Sequence, residues 1–462
     1  MLYLTNLINN LITTMQNNKL QRRNFLKTTA LTLGATAFSP ITNASDKLKK
    51  KPIWKKCALH AHTLWSDGQS MPEVAITEFK KRGFDMLVMT EHNAFPDDKE
   101  AWIRILPKSM QWPPSLTRKE FERTKEQYKD SYIKKNFACK EFLRLKTFDK
   151  LKEEFEVPNK FLLAGGEEIT RNADYPNGVN RQCHLNVFNV DKTFEISMKA
   201  KSVSSIIQES LDTFKELKAK SKRPMFMMLN HPFWCAWDVL PEDMLKFPEL
   251  THFEICNNGA SADVSEFTTD KFWDVLLAHR LENKQGVIYA TASDDTHCYD
   301  PERIDKSAGV NNAWVMARVN DEFTVDNTIK AIAEGDFYAT SGVLLKDVVL
   351  DKSAKTLSVE VDAVDGVEYT IEFITTKRGF NHTVKGKAFT PKNKRFARTL
   401  PIYSDDIGKV VKTVKGTKAS YKLAFNDLYV RAKITSNIPT RIPEKPCFPK
   451  TQCAWTQPLA NA

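Results

Sequence analysis

Five times along this chain an apolar run ends on side chains that can ionise or ligate a metal, and this recurrence limits the fold more than any other feature. The runs are Cys57 to Leu59 before His60 and His62, Met86 to Thr90 before His92, Phe161 to Gly166 before Glu168, Pro224 to Asn230 before His231, and Gly286 to Ser293 before Asp295 and His297. Apolar runs of this length read as buried strands. Residues two apart on extended chain face the same way, so His60 and His62 can turn toward one point. Asp67 then follows in a Ser66-Asp67-Gly68 turn. Six of the nine histidines, His60, His62, His92, His184, His231 and His297, fall in these motifs or in the strand-like stretch Cys183 to Val190.

Helical stretches separate the runs: Pro72 to Arg82, Ser205 to Lys218 and Asp270 to His279. Strands alternating with helices imply an α/β chain with parallel strands and crossover helices. A closed ring of such strands, a distorted (β/α)7 TIM-like barrel, gathers their C-terminal ends at one mouth, where catalytic groups are expected. This unit is assigned to residues 51–345. About seventy residues between His92 and Phe161 exceed a minimal connection; this insertion, 97–160, is expected to be helical from Thr117 to Glu156. It can form a lid over the mouth or a solvated helical hairpin on the outside. Beyond it, at 346–462, the texture changes to short alternating strands, Thr356 to Val361, Val367 to Thr375, Ala419 to Ala424 and Leu428 to Ile434, which predict a small antiparallel β-sandwich.

From Lys51 to Leu345 the order His-x-His, Ser-Asp-Gly, Thr-Glu-His, Gly-Glu-Glu, His, His-Pro, Asp-x-His resembles the PHP family, named for polymerase and histidinol phosphatase. The resemblance implies a distorted seven-stranded barrel holding two or three divalent metal ions. It implies ligand roles for His60, His62, Asp67, His92, Glu168, His184, His231, Asp295 and His297. Glu91 stands where the family more often has Asp. The Asp294-Asp295-Thr296-His297 form and the Phe253 to Asn257 stretch look most like the exported branch that includes carbaryl-hydrolase-like proteins. Glu168 is preferred over Glu167, and Asp295 over Asp294, because strand neighbours point to opposite faces and Asp295 stands two before His297. Glu167 and Asp294 are then expected to hold ligand imidazoles. His184 opens its strand instead of closing one, which leaves it a ligand or a strand-edge histidine. His252, His279 and His382 lie outside the motifs and read as structural or surface residues.

Imidazole and carboxylate ligands without thiolate suit zinc, manganese or iron(II). The expected function is a metal-dependent hydrolase, a phosphoesterase using a metal-activated hydroxide, with His231, His297 and Asp295 as catalytic groups. Arg171 and Arg181 flank the loop between Glu168 and His184 and are the candidates for phosphate recognition; otherwise they are exposed loop arginines. Carboxylic or carbamic ester hydrolysis on the same site is one alternative, and a non-catalytic exported binding protein another. The substrate is expected to be a small phosphorylated ester.

The formal charge of +11 is scattered among acids with no basic-aromatic stripe, so no nucleic-acid partner is expected. Gln21-Arg22-Arg23-Asn24-Phe25-Leu26-Lys27 before a Thr- and Ala-rich stretch resembles a twin-arginine export signal over residues 1–44. Export to the periplasm is the expectation, with translation starting at Met15 and no membrane span left after signal removal. Among the cysteines, Cys57, Cys183, Cys256 and Cys298 read as buried thiols, whereas Cys447 and Cys453 are spaced to close a loop.

Overall fold

Seven strands carry the ligand-type residues: β1 (Trp54–Ala58), β2 (Met86–His92), β3 (Leu162–Asp174), β4 (Asn180–Phe188), β5 (Met227–Leu229), β6 (His252–Asn257) and β7 (Tyr289–Ser293). Helices α1 (Pro72–Lys81), α2 (Val203–Lys220) and α3 (Thr269–Glu282) connect β1 to β2, β4 to β5 and β6 to β7. The computed structural model describes residues 53–108, 110, 114–128, 134–138, 140–175, 179–196, 200–258, 267–304, 309–389, 397–445 and 448–461. The export motif, the two candidate start methionines and Cys447 lie outside the described residues.

The strands run side by side in the order β7-β6-β5-β4-β3-β2-β1. A parallel bridge between Ala61 and Thr296, with the His62 amide donating to the Thr296 carbonyl at 2.9 Å, ties the end of β1 to the end of β7. Contrary to the expectation of an all-parallel ring, β4 is antiparallel to both β3 and β5. The reason is local: Asp174 at the end of β3 pairs with Asn180 at the start of β4, and a connection of five residues is too short for a crossover, so the strands are antiparallel. Because β4 runs backwards, its start lies at the rim where the parallel strands end. His184 therefore sits opposite Thr170 near the end of β3.

The period-two alternation divides each strand. Cys57, Leu59, Met86, Val88, Leu162, Ala164, Phe188 and Met228 share one apolar cluster, joined by Ile329 and Ile332 of α4 (Val325–Ala333). Each large aliphatic side chain fully buried there contributes about 1.5–3 kcal/mol. Further along β2 and β3 the same register brings His92 and Glu168 side by side. His252 belongs to the apolar end: its Nε2 lies 3.0 Å from the Ile332 carbonyl, and burial pushes its pKa down to about 4.

Beyond β1 the sheet continues. β8 (Trp314–Arg318) pairs antiparallel with β1, followed by β9 (Phe337–Thr340) and strands Thr451–Thr456, Tyr429–Pro439, Tyr369–Thr375 and Lys409–Lys415. Among the described residues this makes one mixed sheet of fourteen strands. A three-stranded sheet, Leu345–Asp351, Thr356–Val361 and Lys418–Lys422, packs on its far part. Between these layers Tyr338, Val343, Leu357, Val359, Ile371, Phe373, Val430 and Ile434 form one core. The boundary expected near residue 345 falls inside that core, so the C-terminal strands extend the first sheet. Cys453 is free and buried.

The insertion differs from its expected helical form. Strands Ser115–Thr117, Trp102–Leu106, Lys140–Arg144 and Lys134–Phe137 make a separate four-stranded sheet, and among the described residues of the insertion only Arg118–Thr124 and Phe148–Phe155 are α-helical. Ile103 and Ile105 are buried while their neighbours are half-exposed, a period of two hidden in a highly charged sequence.

Helix α3 is pinned to the strand Tyr429–Pro439 by a buried ion pair. Arg431 donates from Nε and Nη2 to the two oxygens of Asp274 at 2.7 and 2.6 Å, and the Tyr429 hydroxyl donates to the same carboxylate at 2.6 Å. Removing Asp274 leaves the buried guanidinium with Asp270 alone, 3.0 Å from Nη1, and the Tyr429 hydroxyl without its acceptor. Asp274→Ala is expected to lose about 3–5 kcal/mol in urea unfolding, and the Asp274→Ala, Arg431→Met double variant to lose less. A single-variant loss below about 1 kcal/mol would count against this pin.

Candidate metal centre

Four buried atoms face one another where β1, β3 and β7 end: His60 Nε2, His62 Nε2, Glu168 Oε2 and Asp295 Oδ1. The two nitrogens lie 3.3 and 3.2 Å from the Glu168 oxygen and 3.3 and 3.2 Å from the Asp295 oxygen. None of the four makes a well-directed hydrogen bond. Ligands held about 2.0–2.1 Å from a tetrahedral ion are separated from each other by about 3.3–3.4 Å. The four nitrogen–oxygen separations match such edges, and His60, His62 and Glu168 with one ligand atom each fit a divalent cation, with Asp295 Oδ1 beside both imidazoles.

Glu168 lies between this group and the others. Its Oε1 accepts from Asn230 Nδ2 at 2.8 Å and lies 3.0 Å from His184 Nδ1. Its Oε2 lies 2.8 Å from His92 Nδ1. Asp67 Oδ1 is 3.1 Å from His297 Nε2 and 3.4 Å from His92 Nε2, forming a second group with His62. His92, Glu168 and His184 form a third. His231 Nε2 stands 3.5 Å from Glu168 Oε1 and 3.8 Å from Asp295 Oδ2. All nine residues proposed as ligands from the sequence therefore meet at one rim.

The local chain explains the delivery. Gly68 packs so tightly under the turn that a Cβ would lie 2.6 Å from the Thr63 backbone, and its amide donates to the Thr63 carbonyl at 2.9 Å. Glu91 holds this turn: its carboxylate accepts from the Thr63 amide at 3.0 Å and from the Thr63 and Ser66 hydroxyls at 2.5 Å each. Asp295 adopts a positive φ of 50°, a conformation that costs a residue with a Cβ about 1–2 kcal/mol. Strain of this kind persists at sites where surrounding structure enforces it.

The imidazoles are oriented from behind, but not by the acids expected to do so. Glu254, at the rim end of β6, lies 2.9 Å from His60 Nδ1 and accepts from the His231 amide at 2.8 Å and from Asn257 Nδ2 at 2.7 Å. Thr170 Oγ1 lies 2.5 Å from His92 Nδ1, and the Asp295 carbonyl 3.0 Å from His297 Nδ1. Glu167 and Asp294 hold backbone instead. Glu167 accepts from the Phe194 amide at 2.6 Å, and Asp294 from the amides of Asn311, Asn312 and Ala313 at 2.6, 2.8 and 2.9 Å.

Burial works against charge on every one of these groups, and neighbours decide the outcome. Burial raises the Glu168 and Asp295 carboxyls, yet the imidazoles around them hold both well below the usual carboxylate range. Burial lowers His60, but Asp295, Glu168 and Glu254 bring it well above its ordinary value. His297 is raised to about 9 by Asp67 and Asp295 against the same opposing burial. Burial prevails at His184, which is lowered, and at Glu167, which lacks an imidazole neighbour and is pushed up to about 8.

Above the cluster opens a cavity of about 590 Å³ lined by ligand residues, by Asn93, Thr170, Asn172, Gln182, Trp234, Asn258 and Lys445, and by Met110 and Ser115 of the insertion. Arg171 and Arg181 do not reach it, a correction to their expected role. They occupy odd positions of β3 and β4, whereas the lining residues Thr170, Asn172, Gln182 and His184 are even. Arg171 donates to the Ile196 carbonyl at 2.6 Å, and Arg181 to the Ala397 carbonyl at 2.8 Å, on the other face. Counting by twos from Glu168 and His184 would have found Asn172 and Gln182. No signal in the sequence pointed to Lys445. His279 and His382 stand apart with Glu282, packed around Phe380.

No family model matches the chain, and no curated protein matches it. Among solved structures it is similar to a two-domain protein containing a predicted PHP-like metal-dependent phosphoesterase from Bacteroides vulgatus, at 15% identity and TM-score 0.38 over 88% of this chain and 96% of that one. It is also similar to an amidohydrolase from Chromobacterium violaceum, at 12% identity and TM-score 0.27 over 61% of this chain and 96% of that one. At such low scores neither likeness bears on the reaction.

Orientation by Glu254 predicts that Glu254→Gln lowers metal affinity about 10–100-fold, read by competition with a chromophoric chelator. Unchanged affinity in a folded variant would remove this role.

Proposed function

We propose that this chain is an exported metal-dependent hydrolase of phosphate esters, built on a PHP-type barrel. The observation that carries the reading is the set of four buried ligand atoms outside any well-directed hydrogen bond, two imidazole nitrogens each 3.2–3.3 Å from both carboxylate oxygens. Ionised carboxylates in an apolar interior need positive charge beside them, and a cation shared by these nitrogens and oxygens would supply it. The order of motifs along the chain and the twin-arginine segment support the family and the export.

His60, His62 and Glu168, with Asp295 beside them, would hold one ion, His92, Asp67 and His297 a second, and Glu168 and His184, with His92 or His231, a third. Bound there, zinc, manganese or iron(II) would acidify a water and neutralise charge growing on the ester oxygens. The chain's own groups do the rest. Glu168 presents one oxygen to His60, His62 and His92 and the other to His184, so a single carboxylate sets the spacing between centres. Asn230 and Glu254 keep Glu168 and His60 from turning. His231 and His297 border the open cavity, where whichever ring is not engaged with an ion can hand a proton to the leaving oxygen. Polar side chains of Thr170, Asn172, Gln182 and Asn258 offer hydrogen bonds to a small phosphorylated substrate. Met110 and Ser115 place the insertion at the mouth, as a wall that narrows entry.

Plasma mass spectrometry of the purified protein, followed by a panel of phosphate and carboxylate esters, tests the reading. Stoichiometric metal is expected, with phosphoester turnover abolished by chelation and reduced at least about a hundredfold in Asp295→Ala. Turnover confined to carboxylic or carbamic esters would move the substrate class. No bound metal and no turnover would leave a binding protein.

A further inference from the structure

We propose that Lys445 is the anion contact of this site, so that the C-terminal strands complete the cavity and direct it toward phosphate monoesters. The proposal deepens the hydrolase reading above and rests on it for the position of the reacting group.

Among the described lining residues Lys445 is the one Lys or Arg. It is half-buried, and its ammonium lies 3.4 Å from Asn258 Oδ1 at the end of β6, a long contact for a charged donor. Among the described residues it has no carboxylate partner within ion-pair distance. Asn258 is itself anchored, its amide donating to the Ser293 carbonyl at 3.3 Å and its Nδ2 to the Gly309 carbonyl at 3.2 Å.

The segment bearing Lys445 is clamped to the rim. It joins strands Tyr429–Pro439 and Thr451–Thr456, far from the ligand strands in sequence. Arg441 donates to the Val310 carbonyl at 3.0 Å, Thr440 Oγ1 to the Pro449 carbonyl at 2.6 Å, and the Lys445 amide to the Ile442 carbonyl at 3.1 Å. Ile442 and Phe448 insert into the main core on either side. A flexible surface lysine needs no such mounting. A mounted cation bordering a cavity lined by four ligand histidines and by Asp67 and Asp295 is positioned for something anionic that enters it.

Chemistry narrows that ligand. A carboxylic ester is neutral and a phosphodiester carries one negative charge. A phosphate monoester carries up to two, so it gains most from a charged donor outside the carboxylate–imidazole cluster. Lys445 is that donor, while Trp234 and Met110 border the space left for the organic part.

The test uses the full chain loaded with zinc or manganese, as native protein, Lys445→Met, Lys445→Arg, and the exposed Lys352→Met as control. Inorganic phosphate is titrated calorimetrically, and metal content is measured alongside. Lys445→Met is expected to weaken phosphate binding about ten- to a hundredfold with metal content unchanged, Lys445→Arg to recover most of it, and Lys352→Met to match native. In turnover, Lys445→Met should raise KM for a phosphate monoester and leave that for a neutral carboxylic ester alone. Equal phosphate affinity in native and Lys445→Met overturns the assignment, as does loss of metal together with phosphate, which would make the lysine a structural support. Phosphate bound through Lys445 by a protein that turns over no ester overturns the hydrolase reading and leaves the anion contact standing.

Discussion

Ionised carboxylates brought together inside an apolar sheet are the constraint on which the rest of this structure depends. Glu168 and Asp295 are buried and stay well below the ordinary carboxylate range because imidazoles surround them. Moving one such charge out of water costs several kcal/mol unless opposite charge and hydrogen bonds compensate. Compensation at distances near 3 Å leaves little positional freedom, so each strand has to end where its side chain is needed. The apolar interior beneath supplies the stability that lets the rim hold this arrangement, including a left-handed Asp295.

Three acids beside ligands show how a pleated strand does two jobs at once. Glu167 precedes Glu168, Asp294 precedes Asp295, and Glu91 precedes His92. In each pair the second side chain faces the cluster while the first turns to the opposite side and accepts from a neighbouring loop: the 194 amide, the 311–313 amides, and the Thr63 to Ser66 turn. Ligand and loop anchor are thereby tied to the same stretch of backbone. A shift of one residue in register would exchange them and lose both.

Much of the centre was legible because its residues sit where a periodic pattern breaks. His60, His62, His92, Glu168, His231, Asp295 and His297 each end an apolar run, and the alternation that separates Glu168 from Glu167 is arithmetic on the sequence. The same arithmetic, carried four residues past Glu168, reaches Asn172 and turns Arg171 away from the cavity; charge had suggested the reverse. His184 was ambiguous because strand direction is not written in a strand's composition. A hairpin and a crossover are told apart by what lies between strands, and only the short 175–179 connection shows that β4 is reversed. The insertion was misread for a related reason. Its many Lys and Glu residues suit helices, while Ile103 and Ile105 choose a strand by what they pack against. Glu254 stands inside a strand with no break in pattern to mark it.

The reach of the C-terminal strands follows from the sheet. β1 pairs with β2 on one side and with β8 on the other, so hydrogen bonding leads out of the ligand-bearing run as well as around it. Strands added on that second path lie beside the run, and Arg431 with Asp274 fastens them to the helix between β6 and β7. A loop from those strands needs to cross only the ends of β6 and β7 to meet the mouth, which is where Arg441 and Lys445 find Val310 and Asn258. The ligand-type residues at the rim thus come from the curled run, and some of the groups above them come from segments outside it: Met110 and Ser115 from the insertion, Lys445 from the C-terminal turn. Such a division lets the walls of the cavity change what enters without moving the atoms that would perform the chemistry.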